Sequence, residues 1–255
     1  MTSRQPRIAV LASIGRNPVS GVARPNRDDL LALEIGRRSG GDVAVYHAGN
    51  PADPVLGDYL AYGADSIDVV PVSVGQDPVM ALAERLVGFD LILAGSRSEG
   101  GEGSGVLPYL LAKRLGRPIV AQALAVTIGD GSAEITQFLP KGRRRCVRVK
   151  LPALVVVHPM APVVPRYAHA RKRAGTINSL PAARTIDPVS TAWRNEPAVK
   201  KPVKFKAAET KAGHSRMLSA IATESKGGTI VRNGTAAEKA QAILAYLREH
   251  RLIDF

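Results

Sequence analysis

Eleven residues, Gly95 to Gly105, carry the chemistry that is easiest to read in this chain: GSRSEGGEGSG, with five glycines. Asp90 to Ala94 before them is a short apolar run, suited to a buried parallel strand. Val106 to Leu115 after them is apolar on one side, carries Lys113 and Arg114, and stops at Gly116, a good helix C-cap. A strand, a glycine loop and a helix together offer unsatisfied backbone N–H groups and a positive helix end to a phosphate. The loop has no Gly-Lys-Ser/Thr ending, so no P-loop lysine reaches a terminal phosphate. Its Gly101-Glu-Gly-Ser-Gly105 spacing is also not the dinucleotide fingerprint. The bland alternative is an ordinary strand-to-helix turn in which glycines supply positive φ. Glu99 and Glu102 oppose anion binding unless they point outward or touch a ribose.

Positioning such a loop requires a sheet, and the first half of the chain supplies one. Arg7–Ile14 reads as a strand and Gly15–Pro25 as a loop. Arg27–Ser39 reads as a helix with Asn26 as N-cap and Asp28 and Asp29 in its first turn. Asp42–Ala48 is a strand, Pro51–Tyr62 a helix with Pro51 near its start, and Ser66–Val72 a strand placed near an edge by Pro71. Asp77–Val87 is a third helix. This alternation predicts α/β architecture with a doubly wound, mainly parallel sheet. Ligands in such sheets bind beyond the carboxyl ends of the strands, here the loops Ser13–Asn26, Ala48–Asp53, Val72–Asp77 and Gly95–Gly105.

From Pro118 the rhythm changes. Ile119–Ile128, Glu134–Leu139 and Arg145–Lys150 read as strands with no helices between them, with Asp130-Gly131 as a hairpin turn. They predict an antiparallel extension, followed by a buried strand, Leu154–Val157. From Pro159 to about Gly228 there are seven prolines and little periodicity, which predicts an arm that packs on something else. A final helix starts at Thr235, in capping-box spacing with Glu238, and carries an apolar stripe through Ala240, Ile243, Leu244 and Leu247.

The charge is unevenly placed. Residues 1–140 hold 12 Lys+Arg and 15 Asp+Glu, whereas residues 141–255 hold 23 and 7, within an overall net of +13. A basic half suits nucleic acid, an acidic protein surface, or simply a solvated face. Nucleic acid is disfavoured, because Tyr167, Trp193, Phe205, Tyr246 and Phe255 are too widely spaced to interleave with the cations. Cys146, the one cysteine, excludes an intrachain disulfide and a cysteine-rich metal site. No apolar run of membrane-spanning length and no leader pattern is present, so a cytoplasmic protein is expected.

Five fragments, in order, resemble the beta subunits of electron transfer flavoproteins. They are Asn26-Arg-Asp-Asp-Leu-Leu-Ala-Leu-Glu34, Ala61-Tyr-Gly-Ala-Asp65, Asp90-Leu-Ile-Leu-Ala-Gly-Ser-Arg97, Leu151-Pro-Ala-Leu-Val-Val-Val157 and Pro165-Arg-Tyr-Ala168. The likeness runs from about residue 7 to about residue 180, and the remainder matches only in outline. It implies a fold like that of the adenine nucleotide alpha-hydrolases. Residues 1–180 would be the nucleotide-binding domain, and residues 181–255 a basic arm and terminal helix that dock on a partner subunit. It also implies a non-catalytic carrier that pairs with an alpha subunit holding most of an FAD. AMP would lie in the beta subunit itself. Electrons would come from a flavin dehydrogenase or demethylase and pass to a membrane quinone oxidoreductase.

By position, the resemblance places nucleotide contacts on Leu11, Asn26, Arg27, Asp28, Asp29, Ala48, Gly95, Ser96, Arg97, Gly101, Glu102, Gly103, Ser104, Gly105 and Val106. It places partner contacts on Pro165, Arg166, Tyr167, His169, Arg171, Lys172 and Arg173. Three departures stand out. The loop is shorter than the family's and lacks its glutamine, which leaves AMP, a second FAD or nothing as occupants and makes bifurcation unexpected. The Asn26-Arg27-Asp28 turn lacks the family's aromatic. Where the family anchors acyl-CoA dehydrogenases with Leu-Pro, this chain has Arg171, Lys172 and Arg173, which predicts a different donor with an acidic surface. The competing interpretation is a stand-alone adenine-nucleotide-binding protein that signals or hydrolyses ATP; it calls for a loop lysine or a metal-binding pair, and the sequence has neither.

Overall fold

The alternation seen in the sequence forms, in chain order, β1 (Arg7–Ala12), β2 (Ile14–Arg16), β3 (Ala23–Pro25), α1 (Arg27–Arg38) and β4 (Asp42–Gly49). There follow α2 (Leu56–Ala61), β5 (Ser66–Pro71), α3 (Pro78–Leu86), β6 (Leu91–Gly95) and α4 (Leu107–Leu115). The second half adds β7 (Ile119–Gly129), β8 (Ser132–Phe138), β9 (Arg144–Lys150), β10 (Ala153–Val157), α5 (His169–Ala174), β11 (Thr176–Ser179) and α6 (Ala236–Glu249). This computed structural model describes residues 5–73, 75–99, 103–182, 185–187, 192–194, 217, 233–250 and 252–253. The chain divides into two compact units, residues 1–194 and 195–255.

Nine strands form one sheet in the order β11-β5-β4-β1-β6-β10-β7-β8-β9. Every pairing from β11 to β7 is parallel, and β8 and β9 add antiparallel members. The sheet is doubly wound: α1 and α2 cover one face over Ile8, Val10, Val45 and Leu93. The other face, Ala9, Leu11, Tyr46, Ile92 and Val156, packs with Leu82 and Leu86 of α3 and with Leu111 of α4. β6 and β10 are buried at every residue, as strands covered on both faces must be. After β1 the chain adds β4 and β5 on one side, and β6 then pairs on the other. The switch point of the sheet therefore lies between β1 and β6, where a crevice opens beyond the strand ends.

Three details differ from the sequence expectations. Gly15–Pro25 is not a plain loop but contains the β2–β3 antiparallel pair. The second helix begins at Leu56 rather than at Pro51. The Asn50 side chain accepts the Ala52 amide at 3.0 Å and Asp53 accepts the Val55 amide at 2.9 Å, so side-chain turns replace the first helical turn. β5 lies near an edge, as Pro71 suggested: it is next to the edge strand β11, which pairs with Ser66 to Val69, short of Pro71. α5 and β11 themselves fall in the stretch that showed no periodicity; six and four residues are too short to establish one.

At the far edge, β9 exposes Arg144, Arg145 and Arg148, a row of cations on an open strand. Cys146 is exposed there, with its Sγ 3.1 Å from Glu134 Oε1 on β8. In the second unit, α6 has the anticipated capping box: Thr235 Oγ1 accepts the Glu238 amide at 3.3 Å, and Glu238 Oε2 accepts the Thr235 amide at 2.7 Å. The stretch between residues 194 and 233 lies, apart from Met217, outside the described residues.

Candidate functional site

The ends of β1, β4 and β6 open into a cavity of about 1100 Å3. The loop after β6 forms one wall. Gly103 and Gly105 have φ of +61° and +68°, a left-handed conformation that glycine adopts without strain. A Cβ on Gly105 would lie 2.7 Å from the Ser96 carbonyl oxygen, so the turn closes only around glycine. α4 begins without a side-chain cap; Pro108 in its first turn has no N–H and the Tyr109 amide donates to the Val106 carbonyl at 3.0 Å, so this helix start offers an anion the Leu107 amide and the positive end of the dipole. Arg97, Lys113 and Arg114 also line the cavity. Positive charge therefore comes from Arg97 in the loop, and Lys113 and Arg114 add more from the last turn of α4.

Glu99 is not a competing anion. Its carboxylate takes both Arg24 Nε at 3.0 Å and Arg24 Nη2 at 2.9 Å. The β2–β3 pair thus neutralises the glycine loop from outside. Glu102 lies outside the described residues.

Asp29 ties the walls together. Its Oδ2 accepts the Ser13 amide at 2.8 Å and the Ser13 hydroxyl at 2.5 Å, and its Oδ1 accepts the Gly95 amide at 3.1 Å. Burial pushes its carboxyl up from 3.8 to about 7; the hydrogen bonds from Ser13, Asn26 and Gly95 oppose this but do not cancel it. Tyr59, whose hydroxyl donates to the Ser13 carbonyl at 2.6 Å, is held well above its ordinary value, first by burial and then by the Asp29 charge. Asn26 occupies the N-cap position but does not cap α1. Its Nδ2 instead donates to the Arg97 carbonyl at 2.7 Å and to Ser13 Oγ at 3.3 Å. One turn of sequence, Asn26 to Asp29, therefore fixes the ends of β1 and β6.

Of the residues placed at the nucleotide by resemblance, Leu11, Asp29, Ala48, Gly95, Arg97, Gly103, Ser104, Gly105 and Val106 line the cavity. Asn26, Arg27, Asp28 and Ser96 stand behind it. Arg27 Nη1 donates to the Pro159 carbonyl at 2.9 Å, and the Ser96 hydroxyl donates to the Asp28 carboxylate. Gly101 and Glu102 lie outside the described residues. The lining also includes residues absent from that set: Ser13, His47, Asn50, Asp77, Val79 and Trp193. The Val72–Asp77 loop belongs to the strand ends chosen by the sheet argument, so Asp77 was within reach of the sequence. His47 lies one residue before the Ala48–Asp53 loop; its Nδ1 is 2.9 Å from the Ala12 carbonyl, and burial lowers its pKa. Trp193 sits in the aperiodic stretch, where only its being the sole tryptophan singled it out.

Residues 20–185 match the model of the electron transfer flavoprotein domain. The chain is also 35% identical to the electron transfer flavoprotein subunit beta of Chromohalobacter salexigens, over 96% of this chain and 95% of that protein. The chain belongs to the electron transfer flavoprotein beta-subunit family. Within the family fold, the segment expected to meet a partner forms α5 and the turn before it. Arg166, Tyr167, His169, Arg171 and Arg173 are exposed. Lys172 differs: its Nζ reaches Asp58 Oδ1 on α2 at 2.7 Å, and its stem lies over Gly57. Tyr167 packs edge-on against Tyr62, with ring centroids 5.4 Å apart. Pro165 is half-buried. Lys172 and Tyr167 thus brace the segment, while the arginines and His169 face solvent.

Proposed function

We propose that this chain is the beta subunit of a heterodimeric electron transfer flavoprotein that carries electrons from a flavin dehydrogenase or demethylase to a downstream membrane quinone oxidoreductase. It acts as a carrier rather than as an enzyme, and its location is cytoplasmic. Among the described residues no helix is long and apolar enough to cross a membrane. The observation that carries this interpretation is the cavity at the switch point, with its left-handed glycines and uncapped helix start. Those features, set beside family membership, support AMP as the occupant.

The residues fit such a group. The tight glycine turn and the positive end of α4 suit a phosphate, and Arg97 offsets its charge. Leu11 and Ala48 leave room at an apolar end. Asp29 and Asn26 contribute indirectly, by holding Ser13, Gly95 and Arg97 in place. FAD, held mostly by the alpha subunit, supplies reversible one-electron chemistry when bound. Arg171 and Arg173 steer an acidic electron donor toward the heterodimer. The arm and α6 dock on the alpha subunit.

Co-expression with the alpha subunit, followed by an absorbance spectrum and nucleotide extraction, tests this. A yellow heterodimer that releases FAD and AMP is the expected result. A colourless monomer that turns over a substrate unaided would overturn it.

A further inference from the structure

We infer that Trp193 is the base-stacking residue of the cavity, with its indole lying against the adenine of the bound nucleotide. The inference rests on the cavity being an adenine-nucleotide site. Trp193 lines that cavity and is 58% exposed. A tryptophan side chain is usually well buried, because it carries more apolar surface than almost any other. Here more than half of it faces water, in a cavity whose lining also includes the apolar Val79, Leu107 and Leu110.

Among the described lining residues, Trp193 is the only Trp, Tyr or Phe. The other walls serve the remaining parts of a nucleotide. The glycine turn and Arg97 suit phosphate, and Leu11 and Ala48 are apolar but have no π face. A purine gains from such a face, since stacking on one is tolerant of the base but contributes substantially to binding. The chain just upstream is also tied to the rim of the cavity. The Asp77 amide donates to the Thr185 carbonyl at 2.9 Å, and the Asp187 amide donates to the Gly75 carbonyl at 2.9 Å. Gln76 and Ile186 form an antiparallel bridge between these two bonds. Asp77 is the N-cap of α3, whose Val79 lines the same cavity. Residues 185–187 are thus anchored at Asp77, the N-cap residue of α3.

The test uses the heterodimer, stripped of bound nucleotide, as wild type, Trp193→Phe and Trp193→Ala. AMP and ribose 5-phosphate are titrated by calorimetry and by tryptophan emission. The emission difference between wild type and W193F belongs to residue 193. AMP should quench it saturably, and ribose 5-phosphate, which lacks the base, should not. W193A should bind AMP roughly tenfold more weakly, with W193F within about threefold of wild type, as stacking energies imply. If AMP binds wild type and W193A equally and leaves residue 193 emission unchanged, Trp193 does not stack, although the adenine-nucleotide site stands. If wild type binds no AMP, both the stacking role and the nucleotide site fall. If only assembly with the alpha subunit alters residue 193 emission, a protein surface covers the indole and the inference is overturned.

Discussion

The Asp29 carboxyl accepts the Gly95 amide at 3.1 Å, joining the first turn of α1 to the last residue of β6. Because burial raises this group to about 7 from 3.8, the folded chain holds a proton that the unfolded chain releases between those values. The stabilisation from Asp29 is therefore complete below its unfolded value and is lost as pH rises through about 7. His47 works in the opposite sense: its lowered pKa costs stability as pH falls below 6.5. Comparing wild type with Asp29→Asn by denaturant titration from about pH 5 to about pH 8 isolates Asp29. Wild type should lose stability relative to D29N as pH rises, by an amount on the order of kcal/mol. Parallel curves would show that Asp29 does not titrate in this window.

Gly105 and Gly116 allow a controlled comparison. Both have left-handed φ, +68° and +64°, but a Cβ at Gly105 meets the Ser96 carbonyl at 2.7 Å whereas at Gly116 it meets nothing within 4 Å. Alanine at either position pays about 1–2 kcal/mol for the conformation alone. Only Gly105→Ala must also shift the loop. G116A should lower the melting temperature slightly and retain nucleotide; G105A should release it. Equal nucleotide content in the two purified heterodimers would argue against the glycine turn as the phosphate cradle.

The Arg24–Glu99 pair is partly exposed, with side chains 42% and 27% accessible, so its worth to stability is about 1 kcal/mol or less. Its larger effect should be electrostatic. Arg24→Met leaves an unpaired carboxylate beside the glycine loop and should weaken AMP binding several-fold by calorimetry, an effect on the scale of an exposed charge pair. Adding Glu99→Gln to that variant should restore affinity. Failure of the second change to rescue the first would mean that the hairpin acts by shape alone.

On α5, charge reversal separates docking from bracing. Arg171→Glu with Arg173→Glu should slow electron transfer from the cognate donor at low salt, and the deficit should shrink as salt is added. Lys172→Ala breaks the 2.7 Å bond to Asp58 and should instead lower thermal stability slightly. Unchanged stopped-flow rates in R171E/R173E would remove the arginines from the docking surface.

Most of the sheet was legible because long-range order follows from local alternation. Buried runs such as Leu91–Gly95, bounded by glycine, state their own strand and their own position. What was not legible depended on partners distant in sequence. β11 is a four-residue strand with no pattern, and it exists because β5 offers it an edge. The β2–β3 pair is three residues long on each side and is held to the rest by Arg24. At the site, composition pointed to the glycine loop, but no periodicity could show that Asn26 would forgo capping α1 in order to hold Arg97. Nor could it bring a tryptophan from residue 193 to the ends of strands made before residue 96.

The lone thiol gives this protein a practical handle. Cys146 stands on the outermost strand, away from every residue lining the cavity, and its hydrogen bond to Glu134 raises its pKa. Maleimide coupling should therefore be sluggish at neutral pH and brisk under mildly alkaline conditions. A dye placed there would mark the cationic rim and could report subunit assembly by energy transfer, with the nucleotide chamber left chemically untouched.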